Sequence, residues 1–348
     1  MIRIAEPSDN EPLLVLTASN PMQGSISLRI DRKPDFFSLL EARGKSITYV
    51  LEKNSRIIGS FSASKNKVFV NKQATDLYYL SDLKIDNAFR SQVYAFKLVS
   101  QMQHYLQSQG ADLLFCTVAD GNNRVLPVFE GRAALPVFHI LGKFSVYQFL
   151  PARKPVKNST YQICQQAFDA DLLKQFNQFY QQYQLGKILC ADPVQSQAVL
   201  VAYIQKQPVA AITLIDTLPY KQNVIIGLKP YLKMLVYTVN SLGKVLPLFP
   251  LPEIGEAIKI LYINNFYCLK GQEAALLDLV NQARHQAFTG NFHFVSIGLH
   301  EKDPLLSCFK QFYKFEFKSV GYITSLKNNT ALLNEIMAGV PFEDYSLV

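Results

Sequence analysis

A chain of 348 residues is long for one typical domain and comfortable for two. Hydrophobic residues make up 49% of it, with 24 Phe and 18 Tyr, and charged residues only 18%, which excludes extensive disorder and supplies a large core. The formal charge of +8 suits an anionic partner (a phosphorylated cofactor, a nucleic acid, a membrane surface) or an ordinary basic protein. The basic residues are scattered, and the longest cluster, Arg153-Lys154-Pro155-Val156-Lys157, reads as a linker, so a dedicated nucleic-acid patch is not expected.

The start of the chain, MIRIAEPSDNEPLL, lacks the long apolar stretch of a signal peptide, and no run of about 18 apolar residues follows anywhere. No membrane contact is expected, and the reading is cytoplasmic. The five cysteines (Cys116, Cys164, Cys190, Cys268, Cys308) are odd in number, far apart and without CxxC spacing. That pattern predicts buried thiols, no metal site and no disulfide framework.

A first strand and one or two helices open the chain, PDFFSLLEARG being a helix closed by Gly44. SITYVLEKNSRIIGSFSAS alternates and is β-branched, so it reads as a hairpin turning at Lys53-Asn54-Ser55. KVFVNKQATDLYYLSDLKI gives two further strands. From Arg90 to Gln109 the apolar residues Ala95, Leu98, Val99, Met102 and Leu106 recur at helical spacing, and Gly110 ends the helix. DLLFCTV is a buried strand, ADGNN a turn, RVLPVFEG a short helix and HILGKFSVYQFL a last strand. Proline and lysine then thicken at PARKPVKNST.

The second half repeats this order. TYQICQQAF is a strand, DADLLKQFNQFYQQYQLG a helix, and AVLVAYIQKQPVAAITLID a hairpin turning at Lys206-Gln207-Pro208. EAIKILYINNFYC is a long strand, GQEAALLDLVNQARHQAF a helix and FHFVSIGL a buried strand. HEKD is a turn, PLLSCFKQFY a short helix and KFEFKSVGYITSL a last strand. Asn122 corresponds to Asp303 and Arg90 to Gly271, at one offset of 181 residues, which points to a duplicated unit. Residues 221–255 are an insert relative to the first half, holding a helix and a proline-rich crossover.

Strand, turn, helix, strand, short helix, strand, after a meander, resembles the GNAT superfamily of acyl-CoA-dependent N-acyltransferases, and two such units resemble its tandem-domain members. The fold class expected is α+β: two GNAT-like domains, each a mixed, mostly antiparallel sheet flanked by helices. Residues 1–150 would be the acyl-CoA-binding domain, 151–158 a linker, 159–330 a degenerate second domain and 331–348 a tail. The family's phosphate-binding pattern, Arg/Gln-x-x-Gly-x-Gly/Ala, falls on Arg90-Ser91-Gln92-Val93-Tyr94-Ala95. Arg90 and Ala95 match, and Val93 replaces the central glycine. The donors in such a loop are backbone N–H groups at a helix N-terminus, which any residue but proline supplies. Glycine only allows a closer approach, so the outcome depends on where the Val93 side chain points.

By the same resemblance the backbone of Leu83, Lys84 and Ile85 would pair with the pantetheine arm of the co-substrate and polarise the thioester carbonyl. Asp82 would be the general base, and Asn122 would bond pantetheine or cap the following helix. Phe129 stands where many members carry the tyrosine that protonates the leaving thiolate. In the second half Gly271 is kept, Lys310 replaces that tyrosine, and His300 is the one histidine in a suggestive turn.

The expected activity is therefore transfer of an acetyl or longer acyl group from acyl-CoA to an amine on a small molecule or peptide, by direct attack. A homodimer is compatible with this reading. Val93, Phe129 and the degenerate second half equally suit a non-catalytic CoA-binding or scaffold protein. Tandem members also include aminoacyl-tRNA-dependent transferases.

Overall fold

Thirteen strands hydrogen-bond into one sheet in the computed structural model, which describes residues 1–89, 92–132, 135–154, 160–191, 198–243 and 250–348. In chain order these are β1 (Ile2–Ile4), then, after β2 (Ile26–Asp31), β3 (Lys45–Lys53), β4 (Arg56–Val70), β5 (Gln73–Ile85), β6 (Leu113–Ala119) and β7 (His139–Phe149). The second half contributes β8 (Gln162–Ala167), β9 (Gly186–Lys187), β10 (Ala198–Ile204), β11 (Gln207–Asp216) and, after β12 (Gln222–Leu228), β13 (Ile260–Cys268), β14 (Phe294–His300) and β15 (Lys314–Ser325). The sheet runs β1-β3-β4-β5-β6-β15-β7-β14-β13-β11-β10-β8, with β9 on β4 and the pair β2–β12 apart.

Three hairpins turn through two residues in left-handed backbone: Asn54-Ser55 (φ 51° and 56°), Asn71-Lys72 (50° and 65°) and Gln205-Lys206 (48° and 69°). Such turns match the right-handed twist of the flanking strands. The last one differs from the expected Lys206-Gln207-Pro208 because proline, locked near φ −65°, cannot take a left-handed position. Gln207 begins the return strand instead, and Pro208 follows it opposite Tyr203. The two strands expected at RIIGSFSAS and KVFV are one continuous β4.

The helix Gln92–Ser108 buries Leu98, Val99, Met102 and Leu106 against Ile58, Phe61, Tyr78 and Leu80, and Gly110 (φ 69°) ends it. Its counterpart, Glu273–Thr289, buries Ala275, Leu276, Leu279, Val280, Ala283 and Ala287 on the second half of the sheet. The helix expected at 169–186 stops at Tyr180, and the chain turns into β9. Cys116 and Cys268 are the buried thiols expected, whereas Cys190 is exposed.

The halves exchange their closing strands. β15 lies between β6 and β7, with Tyr322 opposite Cys116 on one side, while the far edge of β7 pairs with β14. The insert binds across the halves as well, β12 running antiparallel to β2. The final residues form the helix Thr330–Ala338 and then cross the sheet. Phe342 packs among Tyr180, Tyr183 and Phe266 of the second half, and Arg43 of the first half meets Glu343 at 3.1 Å.

Candidate active site

In the first half, parallel strands β5 and β6 pair only over Leu77–Tyr79 and Leu113–Phe115. Beyond that point β5 stays on β4 and β6 stays on β15, so the two strands part and their backbone edges face a wedge. The cause is a bulge. Ser60 pairs with Lys84 and Ser62 with Ser81, leaving Asp82 and Leu83 opposite Phe61 alone. An extra residue on one strand bends it and raises its twist. Asp82 absorbs the bend at φ 56°, a conformation that aspartate tolerates better than most residues, and its carbonyl accepts a hydrogen bond from Ser60 Oγ at 3.0 Å. Leu83 and Ile85 pack on the face that carries the helix Gln92–Ser108, so the first turn of that helix lies beside the wedge.

The opposite face of the wedge holds buried charge. Asp82 is paired with Arg32 at 2.8 Å and Lys84 at 2.5 Å. Burial alone would raise its carboxyl, but these two cations hold it at about 2. A carboxylate so held takes up no proton near neutrality, and this disfavours the general-base role expected of it. Arg43 stacks 3.4 Å above the ring of Tyr79 and pairs with Glu343, whose carboxyl burial pushes up to about 7 against the pull of Arg43. Lys221, from the insert, donates to the carbonyl of Val348. Burial, helped by Arg32 and Arg43, lowers its ammonium to about 7.

Comparison with known proteins finds a family model for the first half and similar folds for the whole chain. Residues 20–132 match the model of the acetyltransferase (GNAT) family. That match spans about a third of the chain, and over it the first half is similar to the GNAT family. The chain's fold is similar to that of Saccharomyces cerevisiae N-myristoyltransferase solved with bound myristoyl-CoA (TM-score 0.60, 11% identity, 93% of this chain and 82% of that one). A second structure of that yeast enzyme with myristoyl-CoA gives a TM-score of 0.57 at 11% identity, covering 93% and 78%. A conserved protein of unknown function from Enterococcus faecalis V583, given as a probable N-acyltransferase, has a TM-score of 0.52 at 8% identity, covering 95% and 73%. No curated protein matches the chain in sequence.

Around the wedge of the first half the remaining expected residues fall as follows. Arg90 and Ser91 lie outside the described residues, and Gln92 is the first residue of the helix. Val93 is 58% exposed, so its side chain points away from the packing face and outward on the first turn, the orientation in which it stands in the way of a diphosphate there. Ala95 and Tyr94 pack at the edge of the core, and the Tyr94 hydroxyl accepts from Lys53 Nζ at 3.3 Å. Lys53, from the β3–β4 hairpin, also lies 5.2 Å over the ring of Phe89, a cation beside the helix start that the sequence did not announce. Asn122 is exposed, and its side chain makes no capping bond. Phe129 stacks between Phe138 (4.7 Å) and Tyr322 (4.8 Å). The exchanged strand β15 thus delivers a phenol to the spot where the sequence offers only Phe129.

The second half has the same wedge and fills it with its own side chains. β13 and β14 pair over Ile260–Tyr262 and Phe294–Ser296 and then separate, with a bulge at Asn264. Here the bulge is tied by neutral bonds, Thr213 Oγ1 to Asn264 Oδ1 and Asn265 Nδ2 to Thr213 Oγ1, both 2.8 Å. The Phe266 amide donates to the hydroxyl of fully buried Tyr180 at 3.0 Å. At the helix start, the Glu273 carboxylate accepts from the Gly271 amide at 3.0 Å. Backbone bonds there hold that carboxyl below its usual range. His300 is buried in the β7–β14 seam. Its Nδ1 accepts from the Lys302 amide at 3.2 Å, which leaves Nε2 to donate to the Leu141 carbonyl at 3.1 Å. Lys310 is exposed.

Proposed function

We propose that this chain is an N-acyltransferase that binds acyl-CoA in the wedge of its first half and passes the acyl group to an amine. The observation that carries the reading is the contrast between the two wedges. In the first, among the described residues, no side chain bonds the backbone of Leu83–Ile85 beside the helix start. In the second, Tyr180 already takes a wedge amide and Glu273 already supplies the anion at the helix start.

In this reading the edge of β5 at Leu83–Ile85 hydrogen-bonds the pantetheine arm as an added strand would. The first-turn amides of the helix from Gln92, with Lys53 nearby, take the diphosphate. An amide at the bulge polarises the thioester carbonyl. The amine attacks the carbonyl carbon, the C–N bond forms, the C–S bond breaks, and CoA leaves as a thiolate. Tyr322 is the phenol that returns a proton to the thiolate in place of Phe129. Asp82 holds the bulge and its cations rather than moving protons. Glu343, with its carboxyl near 7, is the group suited to take the proton of the attacking ammonium. The matched family points to acetyl-CoA, while the yeast relative's myristoyl-CoA makes a long acyl chain the alternative donor.

Calorimetric titration with acetyl-CoA and with myristoyl-CoA tests the reading. Val93→Glu, an exposed change that sets a carboxylate at the helix start, should weaken binding of either about tenfold or more. Binding untouched by Val93→Glu, or none at millimolar ligand, would overturn the assignment to the first half. Given binding, an amine screen with Tyr322→Phe, expected to lower kcat with KM unchanged, separates a transferase from a protein that only binds CoA.

A further inference from the structure

The helix Pro230–Gly243 in the insert exposes an unusual set of side chains. Tyr231, Met234, Leu235, Tyr237 and Leu242 are 62%, 72%, 43%, 74% and 46% exposed. Leu232, Val236 and Val239, turned toward β12, are half-buried. The helix is therefore apolar on both sides, which is not how a helix that ends in water is built. Ile226 and Ile254, flanking it, are exposed as well. Between Asp216 and Glu253 the sequence has four lysines and no carboxylate. Two of these are exposed: Lys229, just before the helix, and Lys233, one turn further on and neighbouring Tyr237 on the helix surface. Glu253 accepts a hydrogen bond from Asn240 near the other end of the helix.

We propose that this helix lies against an anionic lipid surface, with its outer apolar face in the headgroup boundary and Lys229 and Lys233 on lipid phosphates or carboxylates. Fourteen residues span about 21 Å, too short for a bilayer core of about 30 Å, so the helix lies along the surface and does not cross it. Among the described residues no helix is long and apolar enough to span a membrane. Tyrosines beside leucine and methionine, with lysines at the same end of the helix, are the composition that seats a helix in an interface. Charge decides between lipid and a second copy of the chain. A two-fold contact of this face with itself sets lysine near lysine and brings no carboxylate from 217–252, whereas anionic headgroups supply the missing charge. The inference is independent of what the wedge binds.

Co-sedimentation with phosphatidylcholine vesicles, with and without about one third phosphatidylserine, tests it. The protein should pellet with the anionic vesicles alone, and raised salt should release it. Met234→Glu should weaken binding tenfold or more. Lys229→Glu with Lys233→Glu should weaken it by about fivefold for each lysine lost. These are exposed positions, and an unchanged thermal melt shows that each variant is folded. The proposal is overturned by failure to pellet with anionic vesicles, or by pelleting that Met234→Glu leaves unchanged. A dimer in sedimentation velocity that Met234→Glu dissociates also overturns it, because the face would then belong to a second copy.

Discussion

Replacing Asp82 by asparagine keeps the shape of the bulge and removes its charge. Arg32 and Lys84, 2.8 and 2.5 Å from that carboxylate, would then be buried cations without a counterion. Breaking a buried pair in this way costs about 3–5 kcal/mol. The ionisation of Asp82 gives an independent figure. Its carboxyl lies at about 2, against 3.8 for an ordinary aspartate, and the difference corresponds to about 2.5 kcal/mol at neutral pH. The folded-state value is the lower of the two, so this stabilisation is complete above about pH 4 and disappears as the pH falls through 2. The chain has no tryptophan, so circular dichroism should follow the urea transition. Asp82→Asn should lose about 3–5 kcal/mol at pH 7 and progressively less below pH 4. Adding Arg32→Met should restore part of the loss, because one stranded cation goes with it. A loss under about 1 kcal/mol at pH 7, or a loss independent of pH, would refute the account of Asp82 as the counterion that fixes the wedge.

Tyr180→Phe leaves the Phe266 amide buried without its acceptor and should cost about 1–3 kcal/mol in the same urea assay, with acetyl-CoA affinity unchanged. Lys221 carries a folded-state value of about 7 against an ordinary 10.5, so its burial costs most below pH 7 and the cost fades as the pH rises toward 10.5. Lys221→Met should therefore gain stability relative to the parent at pH 6 and lose that advantage by pH 10; an advantage constant with pH would count against the assignment. Gly142 has φ 117°, and a Cβ there would come within 2.3 Å of His300 Nε2. Gly142→Ala should lower the melting temperature clearly, and an unchanged melt would mean that the β7–β14 seam yields to the methyl group.

Local order was legible where period and punctuation agree. The apolar spacing from Ala95 to Leu106, closed by Gly110, marks a helix that folds over Gln92–Ser108. The hairpin at Asn54-Ser55 follows from two residues that accept left-handed backbone. The bulge at Asp82 was not legible, because it depends on the pairing of β4 with β5 and not on the residues of β5 alone. Arg32, Arg43, Lys221 and Glu343 are spread over more than 300 residues and read singly as surface charges, yet tertiary folding buries them around one wedge. Likewise, nothing in KFEFKSVGYITSL says that this strand will lie beside β6, so the approach of Tyr322 to Phe129 could not be foreseen.

The strand exchange bears on how the chain must be made. When a ribosome has completed β7, the segment that separates β7 from β6 has not yet been synthesised. The nascent first half therefore either leaves two strand edges open or pairs β6 with β7 directly, and the second arrangement must later be broken to admit β15. Contacts such as Tyr322 with Cys116 close a loop of about two hundred residues, the kind of non-local pairing that makes folding slow and exposes edges to other chains. Cutting the gene after the first unit would accordingly yield neither half of an enzyme nor an independent domain, but a sheet lacking an internal strand.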